Sequence, residues 1–414
     1  MATLIFIGPL ISKETQGTEL VREAKQLGHT VLLVNPATAQ DPPEALALAD
    51  QVILIEHEFE SEEAGVEAYR KVSATCRGVD AIFPASEFGV VLCARLGSLL
   101  GVHANEARVG VMLRDKFQQR QALAANGFPS PECHGFSSKE ELQALAPRLK
   151  YPLMLKPVNG AGKIGVSRYD NAEDLLSAFD AVRDAAAARF PYLSLGGRWL
   201  VEQFLPGIKF TLELIANGDE VYPFVLTETT VVGAHFIEMG HALPAQLPAH
   251  LEEKAKRLGV DLLRMLRIRH GVVHLELLLH AESSEFFIIE LNGRIPGGKV
   301  SHLIEYASGN NYYRLILSTL LSRKLPHVQP FTRAAAVYWF CRRNGTVARI
   351  EGFEELDGSP GFVQKYIGLN VGDVVKQTSD GFDRVGYSMN IAPDLRTAQR
   401  YARAAVEKVR IQYA

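Results

Sequence analysis

Apolar positions in the N-terminal part of the chain follow two periods in turn. Short apolar runs at residues 4–7, 30–34, 52–55 and 81–83 predict β-strands. Between them, residues 15–27, 43–49, 62–75 and 88–100 carry helical spacing, and two of these stretches run into Gly28 and Gly101. Strands and helices alternating at this distance predict βαβ units and a doubly wound parallel sheet. In such a sheet the ligand contacts come from the loops after the strands, and Pro84-Ala85-Ser86-Glu87 is one of them.

The pattern changes after about residue 105. A helix is predicted over 114–126, stopped by Gly127 and Pro129, and the next segment reads as α+β. Its expected elements are strands at 152–157 and 166–169 around a glycine loop, a helix at 172–189 and a strand at 198–203. A hairpin of 210–216 and 220–225 across Asn217-Gly218 follows, then a helix at 249–266 and paired strands at 271–279 and 285–291. Strands return from about 330, and a helix near 397–410 closes the chain. Boundaries are expected near 105 and 328.

A length of 414 residues predicts two or three domains. With 47% hydrophobic and 22% charged residues the composition is that of a globular protein, and a net charge of -3 lacks the basic footprint of a nucleic-acid binder. Cys76, Cys93, Cys133 and Cys341 are far apart and form no CxxC pair, which argues against a disulfide framework or a thiolate zinc site and suits a reducing cytoplasm. The apolar run at 4–7 has no basic residues before it and Gly8-Pro9 after it, so it reads as a first strand, not a signal peptide. No stretch reaches the length of a membrane span.

Gly160-Ala161-Gly162-Lys163-Ile164-Gly165 matches GxGxxG letter for letter. A dinucleotide site needs a helix after that loop, whereas Val166-Ser167-Arg168-Tyr169 is β-like. Lys163 is followed by Ile164, not Ser or Thr, so a Walker A loop fails too. A flap at a hairpin tip remains, with backbone N–H groups able to cover phosphates. Lys156 favours that reading over a bare hairpin. It lies in the apolar run Pro152-Leu153-Met154-Leu155, where an ammonium needs an anion, and phosphate is a natural one.

The acidic signal lies further on. Polar and apolar residues alternate along Val272-Val273-His274-Leu275-Glu276-Leu277 and along Phe287-Ile288-Ile289-Glu290-Leu291-Asn292. With a turn at 281–284, Glu276 and Glu290 face each other on one side of the sheet. Like charges placed so are destabilising unless they share a proton or bind a cation. Two carboxylates and the Asn292 amide oxygen are hard donors that suit Mg²⁺ held jointly with nucleotide phosphates. Arg294, at the end of that strand, is placed to stabilise a transferring phosphoryl group or an oxyanion. Taken singly, Lys116 reads as a solvated lysine and Glu202 as a capping or ion-pairing residue. His274 is expected to pack beside Glu276. The chain contains no HExxH and no GxSxG, so serine or zinc-protease chemistry has no support.

The order of these motifs resembles the ATP-grasp superfamily over almost the whole chain. Asp115-Lys116, Gly127-Phe128-Pro129-Ser130-Pro131, Leu155-Lys156-Pro157 with the glycine loop, Val201-Glu202-Gln203-Phe204-Leu205-Pro206-Gly207, the Glu276 strand and Glu290-Leu291-Asn292-Gly293-Arg294 follow one another in the family's order. The ending Asn292-Gly293-Arg294-Ile295-Pro296-Gly297-Gly298 looks most like the L-amino-acid ligases, which make dipeptides, including those of dipeptide antibiotic pathways. Arg384-Val385-Gly386-Tyr387 is similar to the closing lobe of that group.

The resemblance implies an ATP-grasp fold of three parts. Residues 1–105 are a pre-ATP-grasp α/β domain, and 106–328 are the ATP-grasp region, with a glycine-loop lobe at about 130–205 and a metal-binding lobe at about 206–328. Residues 329–414 are the C-terminal lobe. It also implies ATP contacts from Lys116, Lys156, Gly160, Gly162, Lys163 and Gly165, and adenine contacts from Glu202 with the backbone of Gln203 and Leu205. Glu276, Glu290 and Asn292 would hold one or two Mg²⁺ ions, with Mn²⁺ as a substitute. Arg294 and Lys156 would be catalytic, and Glu87, His274, Arg294, Gly297 and Gly298 would meet substrate. The ribose acid of many members is missing, because Ile208-Lys209-Phe210 stands there, with Glu213 as a substitute.

The implied protein is a cytoplasmic homodimer that binds neither nucleic acid nor membrane. It would join amino acids or their derivatives through an acyl phosphate, releasing ADP and phosphate. A carboxylase-like enzyme activating bicarbonate or a nucleotide-precursor carboxylate is the alternative within the superfamily. A non-catalytic nucleotide-binding protein and a nicotinamide oxidoreductase are the alternatives outside it.

Overall fold

A computed structural model describes residues 1–10, 16–189, 197–233, 236–322, 324 and 327–414. At the N-terminus β1 (Thr3–Ile7), α1 (Gln16–Gln26), β2 (Thr30–Pro36), α2 (Pro43–Leu46), β3 (Gln51–Ile55), α3 (Glu62–Thr75), β4 (Ala81–Pro84) and α4 (Val90–Leu100) alternate as the apolar pattern requires. Residue 15, the expected first residue of α1, lies outside the described residues. The strands run parallel in the order β3-β2-β1-β4. Ser61 caps α3 by accepting from the Ala64 N–H, and Gly101 ends α4 in the left-handed region at φ 68°.

The single helix expected over 114–126 is two helices, α5 (Ala107–Arg114) and α6 (Lys116–Ala125). Asp115 leaves helical geometry at φ −97°, ψ 100° and its side chain accepts from the Gln118 N–H, so it ends one helix and caps the next.

Next come β5 (Cys133–Phe136), α7 (Lys139–Leu145), β6 (Leu153–Pro157), β7 (Ser167–Tyr169), α8 (Ala172–Arg189) and β8 (Trp199–Gln203). Their strands form a sheet in the order β5-β8-β6-β7. Leu153 pairs with Tyr169 and Leu155 with Ser167, so the glycine loop is the tip of an antiparallel hairpin. The helix after Gly165 that an oxidoreductase would need is a strand instead.

The remaining elements are β9 (Gly207–Asn217), β10 (Glu220–Val232), β11 (Ile237–Leu243), α9 (Ala249–Met265), β12 (His270–His280), β13 (Phe286–Asn292), α10 (Val300–Ser308) and α11 (Tyr312–Ser322). Beyond them lie β14 (Ala334–Phe340), β15 (Gly345–Glu351), β16 (Phe362–Ile367), β17 (Val374–Val375), β18 (Gly386–Ala392), α12 (Leu395–Lys408) and β19 (Arg410–Tyr413). Eight strands build one sheet in the order β13-β12-β9-β10-β11-β14-β18-β16, and β17-β15-β19 form a small second one. The sequence pattern reaches only half of the β9–β10 hairpin and passes over β5, β11, α7, α10 and α11.

The two faces of the large sheet explain where a site can form. Leu212 and Leu214 of β9 and Leu275 and Leu277 of β12 pack with Leu262 and Leu263 of α9. On the other face Ile215 and Val272 join a core with Leu303 and Ile304 of α10 and Ile316 of α11. Farther along that same face stand Lys209, Thr211, Glu213, His274 and Glu276. The face therefore changes from apolar to polar where the helices stop covering it. Among the described residues no helix is long and apolar enough to cross a membrane.

Candidate active site

His274 and Glu276 of this polar face line a cleft of about 620 Å³, within the range of small-molecule sites. Ser86 and Glu87, after β4, line one side. The glycine hairpin covers the cleft with Gly160, Gly162 and Lys163. Trp339, Phe382, Arg384 and Tyr387 close it from the C-terminal part.

Glu276 and Glu290 are direct partners across the β12–β13 ladder, and His274 faces Asn292 one pleat step away. Three lysines neutralise the two carboxylates. Lys116 Nζ lies 3.0 Å from Glu290 Oε1, and Lys209 Nζ and Lys163 Nζ lie 2.6 Å and 3.5 Å from Glu276 Oε2. Burial raises the pKa of Glu276, but Lys163 and Lys209 outweigh it and hold the carboxyl far below its usual range. Lys163 is raised in turn, because Glu276 and Glu238 outweigh its burial. The Asn292 amide nitrogen donates to Glu290 Oε1 (3.0 Å) and Glu87 Oε2 (3.1 Å) in the orientation its hydrogen bonds require.

Among the described residues no three His, Cys, Asp or Glu side chains gather as a complete metal cage. Two facing carboxylates with an adjacent amide make an incomplete oxygen set, which fits Mg²⁺ whose remaining ligands are phosphates and water.

Arg294 Nε donates to Glu87 Oε2 at 2.7 Å, and Arg114 Nη1 to Glu87 Oε1 at 3.2 Å. Both oxygens of Glu87 are thus occupied by guanidinium groups. Burial raises its pKa, and Arg294 and Arg114 bring it below the ordinary value. Glu87, expected to meet substrate, therefore also links Arg294 to Arg114 at the cleft wall. His274 lines the cleft with Nδ1 bound 2.7 Å from Glu213 Oε1. Glu213 itself is fully buried and does not line the cleft.

Lys156 and Glu202 pair directly, and Arg120 reaches the second Glu202 oxygen at 2.9 Å. Arg120 also donates to Ile289 O at 2.6 Å, tying the hairpin sheet to β13. Lys156 lines the cleft, while Glu202, Gln203, Leu205 and Gly165 do not. The Gln203 N–H is already given to Glu132 O at 2.9 Å, which leaves its carbonyl. Gly165 sits at φ 69°, and a Cβ there would be 2.9 Å from the Trp199 ring.

The hairpin tip rests on the C-terminal part. Gly381 N–H donates to Gly162 O at 2.9 Å, and a Cβ on Gly162 would lie 2.1 Å from the Phe382 ring. Lys163 adopts φ 68°, a left-handed conformation that aims its side chain down to Glu238 (3.3 Å) and Glu276. Gly297 and Gly298 line the cleft where the chain turns into α10, and a Cβ on Gly298 would be 2.2 Å from His241 Nε2. Sequence reasoning missed Lys209, Glu238, Arg114 and Arg120, and quoted Arg384 only within a motif, without a role. Lys209 carried a signal too, as a basic residue where an acid was expected.

The ATP-grasp domain model matches residues 149–302, and the L-amino acid ligase C-terminal domain 2 model matches residues 337–414. The uncharacterized protein y4rH of Sinorhizobium fredii is 28% identical over 304 residues, which are 71% of this chain and 60% of that protein, so the chain spans less than two thirds of this relative. The L-arginine-specific L-amino acid ligase of Bacillus subtilis is 23% identical over 313 residues, 73% of this chain and 73% of that one. The crystal structure of an L-amino acid ligase from Bacillus licheniformis has the same fold, with a TM-score of 0.81 at 22% identity over 100% of this chain and 99% of that chain.

Proposed function

The chain is an ATP-grasp protein with an L-amino acid ligase C-terminal domain, and from that premise we propose that it is an ATP-dependent carboxylate–amine ligase joining amino acids or their derivatives. A carboxylate takes the γ-phosphoryl group of ATP, giving an acyl phosphate and ADP. An amine then attacks the acyl carbon and phosphate leaves. The observation that carries this reading is the Glu276–Glu290 pair, facing in register beside Asn292. It shares one cleft with Arg294 and with Lys116, Lys156 and Lys163.

Mg²⁺ bound to Glu276, Glu290 and Asn292 would neutralise phosphate charge during transfer. Lys116 and Lys163 exchange their glutamate partners for phosphate oxygens when nucleotide enters. Lys156 holds a phosphate from the floor of the hairpin. Arg294, fixed by Glu87, presents its fork to the transferring phosphoryl group and the reacting carboxylate. No side chain acts as a nucleophile, so catalysis is positioning and charge neutralisation. The glycine hairpin, seated on Gly381 and Phe382, keeps water from the acyl phosphate.

The test is incubation with ATP, Mg²⁺ and a matrix of amino-acid pairs, following ADP, AMP, phosphate and new amides by mass spectrometry. ADP and phosphate released only with certain pairs, together with their amide, support the proposal. AMP formation contradicts it, and bicarbonate-dependent ADP release without an amine identifies a carboxylase-like enzyme.

A further inference from the structure

Arg384 lines the C-terminal wall of the cleft. Its Nε donates to Gly381 O and its Nη1 to Glu238 O, each at 2.8 Å. Its guanidinium carbon lies 4.1 Å from the centroid of the Trp339 ring, and that ring is fixed edge-on against Tyr387 at 5.1 Å. A guanidinium has five N–H groups, so three are left uncommitted.

Lys116, Lys156, Lys163 and Arg294 each have a carboxylate partner. Arg384 has none within ion-pair distance among the described residues. The acids whose field it feels most, Glu238 and Asp380, are engaged by Lys209 and Lys163 and by Arg189. A half-buried guanidinium with a free edge toward a cleft is matched by a planar anion that accepts two parallel hydrogen bonds.

We infer that Arg384, stacked on Trp339, is the anchor for a non-reacting carboxylate of an amino-acid substrate. This rests on the ligase reading for its choice of ligand. The reacting carboxylate must lie at Arg294 and the carboxylate pair, so a second one needs a separate cation. Two sources share the chemistry: the α-carboxylate of the amine substrate, which survives in the product, and the side-chain carboxylate of an acidic amino acid.

The test is calorimetric binding to the full chain with Mg-ADP present, which needs no turnover. The probes are amino acids, their α-amides, and the pairs glutamate–glutamine and aspartate–asparagine. In the wild-type chain at least one acid is expected to bind roughly 10- to 100-fold tighter than its neutral counterpart. In Arg384→Gln that ratio falls to about one while ADP affinity is unchanged. Loss of the α-amide ratio assigns the α-carboxylate, and loss of the glutamine or asparagine ratio assigns the side chain. The inference is overturned if Arg384→Gln keeps both wild-type ratios, if it weakens ADP alone, or if the wild-type chain shows no ratio to lose. Should Arg384→Gln fail to bind ADP, Arg384→Lys gives the same readout, with the charge kept and the fork removed. A chain that binds as expected but forms no amide overturns the ligase reading and leaves the anchor standing.

Discussion

Lys116 Nζ and Glu290 Oε1 lie 3.0 Å apart, so a lysine suited to phosphate and a glutamate suited to a metal neutralise each other across the cleft. Together with Lys163 and Lys209 on Glu276, this makes the site balanced before any ligand enters. Mg²⁺ alone would have to displace these ammonium groups from both carboxylates. Mg²⁺ is therefore expected to raise the melting temperature little by itself. Mg-ATP at about 100 times its dissociation constant should stabilise the chain by about 2.7 kcal/mol. Thermal unfolding with each ligand alone and with both checks this, and equal shifts from Mg²⁺ with and without nucleotide would count against it.

Replacing one carboxylate of the pair separates metal binding from folding. Glu276→Gln and Glu290→Gln are each expected to lower ADP formation by about 10²- to 10³-fold, the scale of losing one preorganised charge interaction. Nucleotide binding measured without metal should be retained or strengthened, because a lysine is released. Unchanged turnover in either variant would remove that residue from the proposed site.

Gly162 and Phe382 offer a steric test of the hairpin seat. A Cβ at Gly162 would lie 2.1 Å from the Phe382 ring, and the residue sits at φ 63°. Gly162→Ala should lower turnover and raise hydrolysis of ATP without amide formation. Phe382→Ala in the same chain should recover part of the coupling, leaving a backbone penalty of about 1 kcal/mol. Measuring amide formed per ADP in both variants and their combination decides it. Additive effects would mean that the two residues do not meet.

Lys156 sets an alkaline limit. Burial lowers its pKa, and Arg120 and Lys163 add to that, so that the ammonium lies below its usual 10.5 despite Glu202. Its charge is lost as pH rises through this lowered value, so ATP binding weakens on the alkaline side before a free lysine would titrate. The profile of kcat/KM for ATP should fall there, and Lys156→Arg should move the fall to higher pH. A profile unmoved by that substitution would assign the limb to another group.

Glu202 carries a structural load of the same kind. It is 3% exposed and answers both Lys156 and Arg120. Glu202→Gln leaves two buried cations without a counter-charge and should cost about 3–5 kcal/mol of stability. Urea unfolding would register this as a lower midpoint at unchanged slope, and a cost within error of zero would mean that the pair is replaceable.

The facing of Glu276 and Glu290 was legible because strands alternate with period two, so one turn placement fixes both side chains on one face. The hairpin nature of the glycine loop was legible for the same reason, from the β-like residues after Gly165. The split between α5 and α6 was not, since Asp115 interrupts an otherwise continuous helical pattern by a capping bond. Lys209 and Glu238 were illegible for a different reason. They meet only because β9, β10 and β11 lie side by side, and no local period encodes a contact across three strands. Arg114 and Arg120 lie in helical stretches whose pattern names no partner; the fold supplies Glu87 and Glu202. The guanidinium of Arg384 gained its place by stacking on Trp339, from a strand that the sequence pattern left without a partner.

Transfer of labelled oxygen tests the acyl phosphate most directly. An amino acid carrying ¹⁸O in its carboxylate is supplied with ATP, Mg²⁺ and an amine partner, and the released phosphate and nucleotides are weighed by mass spectrometry. The acyl-phosphate route delivers one ¹⁸O to inorganic phosphate for each amide formed, with unlabelled ADP. Label found in AMP, with pyrophosphate as the other product, would contradict it.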